Sequence, residues 1–201
     1  MYVHIEGMDL AGKTTATKAV QQFLGNDSKI RRNSLCGKSH FHAIVDQLRI
    51  SNVVPEADLG WLYLKVLEDD IRNFEQPFGH TIQDSTILLR SLAYHKCKKN
   101  TEIVEELLKL VKVHPRFDCS LVLTASIEKR QERLLERQRS NPEEVAEDDL
   151  MVLKNPKGFL LMERYLVEFS LEFFDSVIID TTDLSKGEVL LAVTNTVTET
   201  M

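Results

Sequence analysis

Eight residues near the start of the chain have the types and spacing that hold the phosphate groups of a nucleotide. They read Gly7-Met8-Asp9-Leu10-Ala11-Gly12-Lys13-Thr14 and match the pattern G-x-x-x-x-G-K-[ST] in full. The glycines let backbone N–H groups turn toward phosphate oxygens, and a helix that starts here favours an anion. Lys13 supplies a positive charge for the β- and γ-phosphates, and Thr14 supplies a hydroxyl for Mg²⁺. These residues predict a loop that binds ATP with Mg²⁺.

The surroundings of this loop fit the prediction. Residues 2–6 form a predicted strand and residues 13–24 a predicted helix, which is the context that the motif requires. We find no Asn-Lys-x-Asp sequence typical of guanine binding, so ATP is favoured over GTP. The predicted nucleotide-binding residues are Gly7, Ala11, Gly12, Lys13, Thr14 and Thr15.

A second acidic residue is needed at the end of a neighbouring strand to orient the Mg²⁺ ion. Asp84 closes the predicted strand at residues 80–84 and is our metal-linked candidate, together with Thr14. Asp180 closes the last predicted strand and competes with it. The structural alternative for Asp84 is a helix N-cap, a common position for aspartate.

Arginines cluster just before a polar segment of the chain. Arg130, Arg133 and Arg137 are spaced three or four residues apart, so they share one face of a predicted helix, and Arg139 follows. Glutamates interleave with them, and a solvated helix face would look the same. Because a phosphate-binding loop is present, we predict that Arg133 and Arg137 stabilise charge on a transferred phosphoryl group, beside a lid at residues 137–150.

The elements that must position these side chains alternate along the chain. Five predicted strands are separated by predicted helices, which indicates an α/β fold with a mostly parallel sheet covered on both faces. The strands are at residues 2–6, 29–32, 80–84, 120–124 and 176–180. The helices are at residues 13–24, 41–50, 57–74, 88–97, 102–113, 127–139 and 157–174, and from about 185 onward. We expect one P-loop domain over residues 1–201.

Composition excludes several classes of protein. The 25 basic and 31 acidic residues give a net charge of −6, which argues against a binder of nucleic-acid polymers. Cys36, Cys97 and Cys119 have no metal-ligand or redox spacing, so we expect free thiols in a reducing compartment. We see no signal peptide and no apolar run long enough to cross a bilayer. A cytoplasmic protein without a membrane partner is expected.

The string Ile5-Glu6-Gly7-x-Asp9-x-x-Gly12-Lys13-Thr14 resembles the thymidylate kinase family of P-loop nucleotide kinases. The resemblance continues in order at Ser91-Leu92-Ala93-Tyr94, through Leu123-Thr124, at Phe159 to Tyr165 and at Val177-Ile178-Ile179-Asp180. It implies a parallel sheet with a mobile lid, ATP-Mg²⁺ as donor, a nucleoside monophosphate as acceptor, and a homodimer. Asp9 would lie near the acceptor sugar or the metal and orient the acceptor hydroxyl, and Arg32 would correspond to the arginine after the second strand.

The chain departs from this family where the acceptor phosphate is held. In the family the third strand ends in Asp-Arg, and that arginine binds the acceptor phosphate. This chain has Asp84-Ser85-Thr86 at the corresponding place. A second phosphate-binding arginine of the family is replaced by the acidic stretch Leu67-Glu68-Asp69-Asp70.

Three explanations remain open for this departure. Arg90 or Arg72 takes the phosphate, or the acceptor is a nucleoside or another small alcohol without one, or the protein is a regulatory ATP binder with a decayed acceptor site. The candidate acceptor-binding residues are Asp9, Arg32, Arg72, Arg90 and Tyr94.

Overall fold

The computed structural model describes residues 1–37 and 39–201, and its centre is one parallel sheet of five strands. The strands are β1 (Tyr2–Gly7), β2 (Lys29–Arg32), β3 (Thr81–Asp84), β4 (Cys119–Thr124) and β5 (Val177–Asp180). They lie in the order β2-β3-β1-β4-β5, and every pair is parallel. All five predicted strands are confirmed to within one residue at each end, and the sheet is wholly rather than mostly parallel.

Helices connect the strands, because a parallel strand pair needs a long crossover. They are α1 (Lys13–Leu24), α2 (His40–Ser51), α3 (Glu56–Arg72), α4 (Ile87–Cys97), α5 (Thr101–Val111), α6 (Ile127–Ser140), α7 (Met151–Lys154), α8 (Pro156–Phe174) and α9 (Lys186–Glu199). The predicted helices are confirmed, and the short α7 was not predicted. Its four residues are too few to show a helical period in the sequence.

The helices cover both faces of the sheet. On one face α1 and α9 pack against β1 through fully buried side chains such as Val3, Val20 and Val193. The second apolar cluster joins α3, α4, α5 and α8, with Leu67, Leu92 and further buried residues between them. Burial on both faces explains why nearly every side chain of β1 and β4 is buried, including the polar His4 and Glu6.

The register of the sheet sets the position of the phosphate-binding loop. In the parallel ladders Ile5 pairs with Asp84 and Gly7 pairs with Leu123, so β1 ends between the carboxyl ends of β3 and β4. Ligands of open α/β sheets bind at this edge. The loop, Asp84 and the start of α4 therefore meet there.

The segment predicted as a lid, residues 137–150, begins inside α6. Helix α6 continues to Ser140, and two single 3-10 turns follow at Pro142–Glu144 and Asp148–Leu150. Asp149 fixes this segment, since its Oδ2 accepts hydrogen bonds from Arg137 and from the backbone of Ala146.

The predictions about cysteines and membrane-spanning helices can also be compared with the structure. Cys36, Cys97 and Cys119 are free thiols, as their spacing predicts. Throughout residues 1–37 and 39–201, the helices are too short or too polar to cross a membrane.

Candidate active site

The loop between β1 and α1 has a backbone that glycine must provide. Gly7 and Gly12 adopt φ values of 146° and 94°, in the region that side chains rarely occupy. A Cβ atom on Gly7 would lie 2.5 Å from the carbonyl oxygen of Leu123. Helix α1 has no side-chain cap, so its first N–H groups remain open to a ligand. This end of α1 can therefore bind an anion.

Lys13 lies in the loop with few charged partners. Its Nζ donates hydrogen bonds to the carbonyl oxygens of Gly7 (2.6 Å) and Met8 (3.2 Å), and Asp9 Oδ1 is 3.9 Å away. Burial, assisted by the charge of Arg90, lowers the pKa of Lys13 to about 8. A desolvated ammonium held mainly by neutral carbonyls favours an incoming phosphate. The loop residues thus fit the phosphate groups of ATP.

Thr14 and Asp84 are the residues that fit a magnesium ion. Thr14 is exposed at the start of α1, and Asp84 ends β3 on the strand next to β1. Burial raises the pKa of Asp84, although the charge of Lys13 opposes this, and Arg32 Nε is 3.5 Å from Asp84 Oδ2. No cluster of three His, Cys, Asp or Glu side chains that could hold a metal alone occurs in the described part of the chain. Mg²⁺ commonly combines one or two carboxylates with phosphates and water, so this arrangement suits it.

The structure separates the alternatives for the two strand-end aspartates. Thr86 caps α4, because its side chain accepts a hydrogen bond from Leu89 N, so Asp84 does not serve as the helix cap. Asp180 lies on β5, an edge strand two positions from β1, and binds Thr182 in its own loop. Of the two aspartates, Asp84 is the one adjacent to the phosphate-binding loop.

Glu6 is a site residue that sequence reasoning named only as part of a family string. Its side chain is fully buried, and its oxygens accept hydrogen bonds from Gly7 N and Thr86 N, both at 3.0 Å. Arg90 Nε lies 3.4 Å from Glu6 Oε1. Burial acts to raise the pKa of Glu6, but Arg90 and the nearby His4 outweigh it and lower the pKa to about 2. Glu6 is therefore an ionised anchor that joins the loop to α4.

Arg90 lies beside Ser85, the residue at which the family pattern has an arginine after the third strand. Its Nη2 donates to Gly7 O (2.8 Å) and lies 3.3 Å from the hydroxyl of Ser85, the residue that replaces that arginine. Its side chain is 27% exposed and lines a cavity beside the loop. A guanidinium therefore lies next to position 85, although it comes from the first turn of α4.

Arg130 and Arg133 on α6 brace the backbone of the loop. Arg133 donates to Leu10 O (2.8 Å) and to Thr181 O (2.6 Å). Arg130 is fully buried and donates to Asp9 O (2.5 Å) and to Glu163. Each therefore fixes a carbonyl group of the loop from the α6 side.

Arg137 lies one turn further along α6 and contacts the lid. Its Nη1 donates to Asp149 Oδ2 at 2.9 Å. The predicted catalytic pair is therefore divided in this structure: Arg133 lies against the loop and Arg137 against the lid. The remaining cationic residue of the cluster, Arg139, is exposed near the end of α6.

A cavity of about 480 Å³ opens beside the loop. It lies between the loop, helices α2, α3, α4 and α8, and the lid. Three of the predicted acceptor-binding residues line it, namely Asp9, Arg90 and Tyr94. Arg32 is exposed beside Asp84, and Arg72 is exposed in the last turn of α3, so neither lines the cavity. The structure thus brings Arg90, rather than Arg72, to the site.

Sequence reasoning did not name Asp46 and Arg49 as site residues, although both line the cavity. Tyr63 donates to Asp46 Oδ1 at 2.8 Å, and Arg49 lies 3.3 Å from both Asp46 and Asp148. Burial and the nearby Glu56 raise the pKa of the Tyr94 hydroxyl. Asp46 and Arg49 belong to α2, a helix without a motif, and their i,i+3 spacing was the signal that the sequence offered.

The fold and the loop define a P-loop α/β protein. No protein-family profile and no curated protein sequence matches the chain. Among solved structures, thymidylate kinase from Candida albicans matches with a TM-score of 0.69 and 14% identity, covering 98% of this chain and 91% of that one.

Two further structures have the same fold. Deoxyadenosine kinase from M. mycoides with bound dATP matches with a TM-score of 0.60 and 16% identity, over 98% of this chain and 100% of that one. Thymidylate kinase from Ehrlichia chaffeensis matches with a TM-score of 0.64 and 13% identity, over 98% of each chain. The resemblance seen in the sequence is confirmed at the level of the fold.

Proposed function

We propose that the protein is an ATP-dependent kinase that transfers a phosphoryl group to the hydroxyl of a nucleoside or nucleoside monophosphate. One observation carries the proposal. Lys13 from the loop and Arg90 from the cavity wall both donate to Gly7 O, at 2.6 and 2.8 Å. Two cations therefore meet where the donor phosphates and an acceptor would come together. The shared fold with thymidylate and deoxyadenosine kinases supports the same class of reaction.

Residues of the loop hold the donor. ATP with Mg²⁺ supplies the transferable phosphoryl group when it is bound. Lys13 and the open N–H groups of α1 bind phosphate oxygens, and Thr14 and Asp84 hold the metal. Arg90 stabilises the charge that develops on the oxygens of the phosphoryl group during transfer.

Asp9 orients the acceptor. It lines the cavity, its side chain is 30% exposed, and its Oδ1 is 3.9 Å from Lys13 Nζ. A carboxylate at this boundary can accept a hydrogen bond, and then the proton, from an acceptor hydroxyl. In this role Asp9 holds the acceptor hydroxyl close to Lys13, where the terminal phosphate of the donor binds.

The lid keeps water out of the cavity. Asp148 pairs with Arg49 of α2, and Asp149 pairs with Arg137 of α6. These two ion pairs connect the lid to α2, which lines the cavity, and to α6. Exclusion of water favours transfer to the acceptor over hydrolysis.

The homodimer implied by the family resemblance remains a prediction.

The test is ADP release from ATP-Mg²⁺ with a panel of nucleosides and nucleoside monophosphates. We expect at least one acceptor to accelerate ADP release, and Lys13→Ala to abolish the acceleration. Lys18→Ala is the matched control, because Lys18 is an exposed residue of the same helix. ATP binding without acceleration by any acceptor would reject the kinase and favour a regulatory ATP-binding protein.

A further inference from the structure

The charged side chains that line the cavity are mostly acidic. Its lining includes the carboxylates of Asp9, Asp46, Glu56 and Asp148 and the guanidiniums of Arg49 and Arg90. With neutral histidines, the described lining carries a formal charge of −2. Lys98 and Lys13, outside this lining, pair with Glu56 at 2.9 Å and with Asp9 at 3.9 Å, which leaves Asp46 and Asp148 as the carboxylates that share one cation, Arg49. A second phosphate group entering this space would meet like charge.

Both guanidiniums of the described lining are already matched by carboxylates. Arg49 lies 3.3 Å from Asp46 and 3.3 Å from Asp148. Arg90 lies 3.4 Å from Glu6, which is fully buried and ionised, with its pKa lowered to about 2. Arg90 also donates a hydrogen bond to Gly7 O, in the loop proposed to bind the donor phosphates. Neither arginine therefore offers an unmatched charge to an acceptor phosphate.

The same lining is rich in hydrogen-bond acceptors. The hydroxyl of Tyr63 donates to Asp46, so it does not donate into the cavity. An ionised carboxylate has room for about four hydrogen bonds, which leaves acceptor capacity on Asp46 and Glu56. Sugar hydroxyls and the amino groups of a base supply the donors that such a lining needs. A ligand with several N–H and O–H groups and no charge is complementary to it.

Resting on the kinase proposed above, we infer that the acceptor is an unphosphorylated nucleoside and not a nucleoside monophosphate. In the transfer, the nucleoside hydroxyl oxygen forms a bond to the γ-phosphorus of ATP. The bond from that phosphorus to the β,γ-bridging oxygen breaks, and its electron pair leaves with ADP. The proton of the hydroxyl passes to the carboxylate of Asp9 and then to solvent. The products are a nucleoside monophosphate and ADP.

Matched acceptor pairs test this inference with the full chain. ADP release is measured with deoxyadenosine against dAMP, deoxycytidine against dCMP, and thymidine against dTMP. We expect kcat/KM for the best nucleoside to exceed that of its monophosphate by about 100-fold, because the added dianion meets the acidic lining. Faster turnover with a monophosphate would overturn the inference and leave the kinase intact. No acceleration by either member of any pair would overturn both.

Two charge variants separate this electrostatic selection from shape. Asp46→Asn and Asp148→Asn each remove a carboxylate that neutralises Arg49. We expect each to narrow the preference for nucleosides by about tenfold, through a lower KM for the monophosphate. Asp58→Asn is the control, since Asp58 is an exposed residue of α3 outside the cavity. An unchanged ratio in both cavity variants would overturn the electrostatic argument.

Discussion

Lys13 and Arg90 donate hydrogen bonds to one acceptor, the carbonyl oxygen of Gly7, over 2.6 and 2.8 Å. They come from different elements, α1 and α4, and their charges repel each other across a neutral atom. The repulsion adds to the effect of burial and contributes to the lowered pKa of Lys13, about 8. A phosphate placed between the two cations would relieve it. The predictions below begin from this pair.

The first prediction concerns ATP binding above neutral pH. The pKa of Lys13 in the free protein is lowered to about 8, so the ammonium loses its proton as the pH rises through that value. Bound phosphate favours the charged form, so binding takes up a proton there. We expect the Kd for ATP-Mg²⁺ to increase about tenfold per pH unit between about pH 8 and 10. Titration calorimetry at pH 7, 8 and 9 measures it.

Lys13→Arg is the control for this pH dependence, because a guanidinium does not titrate in this range. Its Kd is expected to stay nearly constant over the same interval, whatever its absolute value. Equal pH dependence in both proteins would show that Lys13 is not the titrating group.

The second prediction concerns the buried pair of Glu6 and Arg90. Glu6→Gln leaves the Arg90 guanidinium without its counter-ion, so we expect unfolding to become easier by about 3 kcal/mol. The double variant Glu6→Gln/Arg90→Met should regain part of that stability but not the activity, since Arg90 faces the reacting phosphoryl group. Urea unfolding and kcat are measured on the same samples. Recovery of full activity in the double variant would exclude a catalytic role for Arg90.

The third prediction separates two roles of Arg137. It donates to Asp149 in the lid at 2.9 Å. If Arg137 only anchors the lid, Arg137→Ala and Asp149→Asn should lower kcat by similar factors. If Arg137 also stabilises the transferred phosphoryl group, as the sequence predicts, we expect Arg137→Ala to lower kcat about tenfold further than Asp149→Asn does. Steady-state kinetics at saturating ATP decide this, and equal losses would assign Arg137 to the lid alone.

The fourth prediction concerns Arg130, which is fully buried against Glu163. Arg130→Met leaves the Glu163 carboxylate unpaired and frees the backbone of Asp9, so we expect a loss of about 3–5 kcal/mol in unfolding free energy. Arg130→Met/Glu163→Leu should be more stable than the single variant. Chemical denaturation measures both. A double variant that is no more stable than Arg130→Met would show that the buried charge is not the cause.

The fifth prediction concerns stability in acid. Burial lowers the pKa of His114 to about 4, with smaller effects from His4 and Arg116. The unfolded chain binds a proton near pH 6.5 and the folded protein only near 4, so stability falls as the pH decreases through this window. The total is on the order of 3 kcal/mol. His114→Phe should flatten the unfolding free energy between pH 6.5 and 4, whereas His40→Asn, an exposed control, should not.

The sequence alone predicted the class of fold and the donor half of the site. The loop from Gly7 to Thr14 is contiguous, and its chemistry follows from residue types at fixed spacing. The five strands were predicted from short strand-like segments that alternate with helical ones, and this alternation is a local property of the sequence. Asp84 was proposed as a metal-linked residue because it ends a predicted strand, and that position also follows from the local sequence.

Only the tertiary structure placed Arg90, Arg133 and the acidic lining of the cavity. Arg90 reaches Gly7 across 83 positions of sequence, and Arg133 reaches Leu10 across 123. Such contacts depend on the order and register of the strands, which no local pattern carries. The charge of the cavity likewise depends on which faces of α2, α3 and α4 turn toward each other. The sequence therefore determined the candidate donor-binding loop, and the packing of the helices decided which side chains line the cavity beside it.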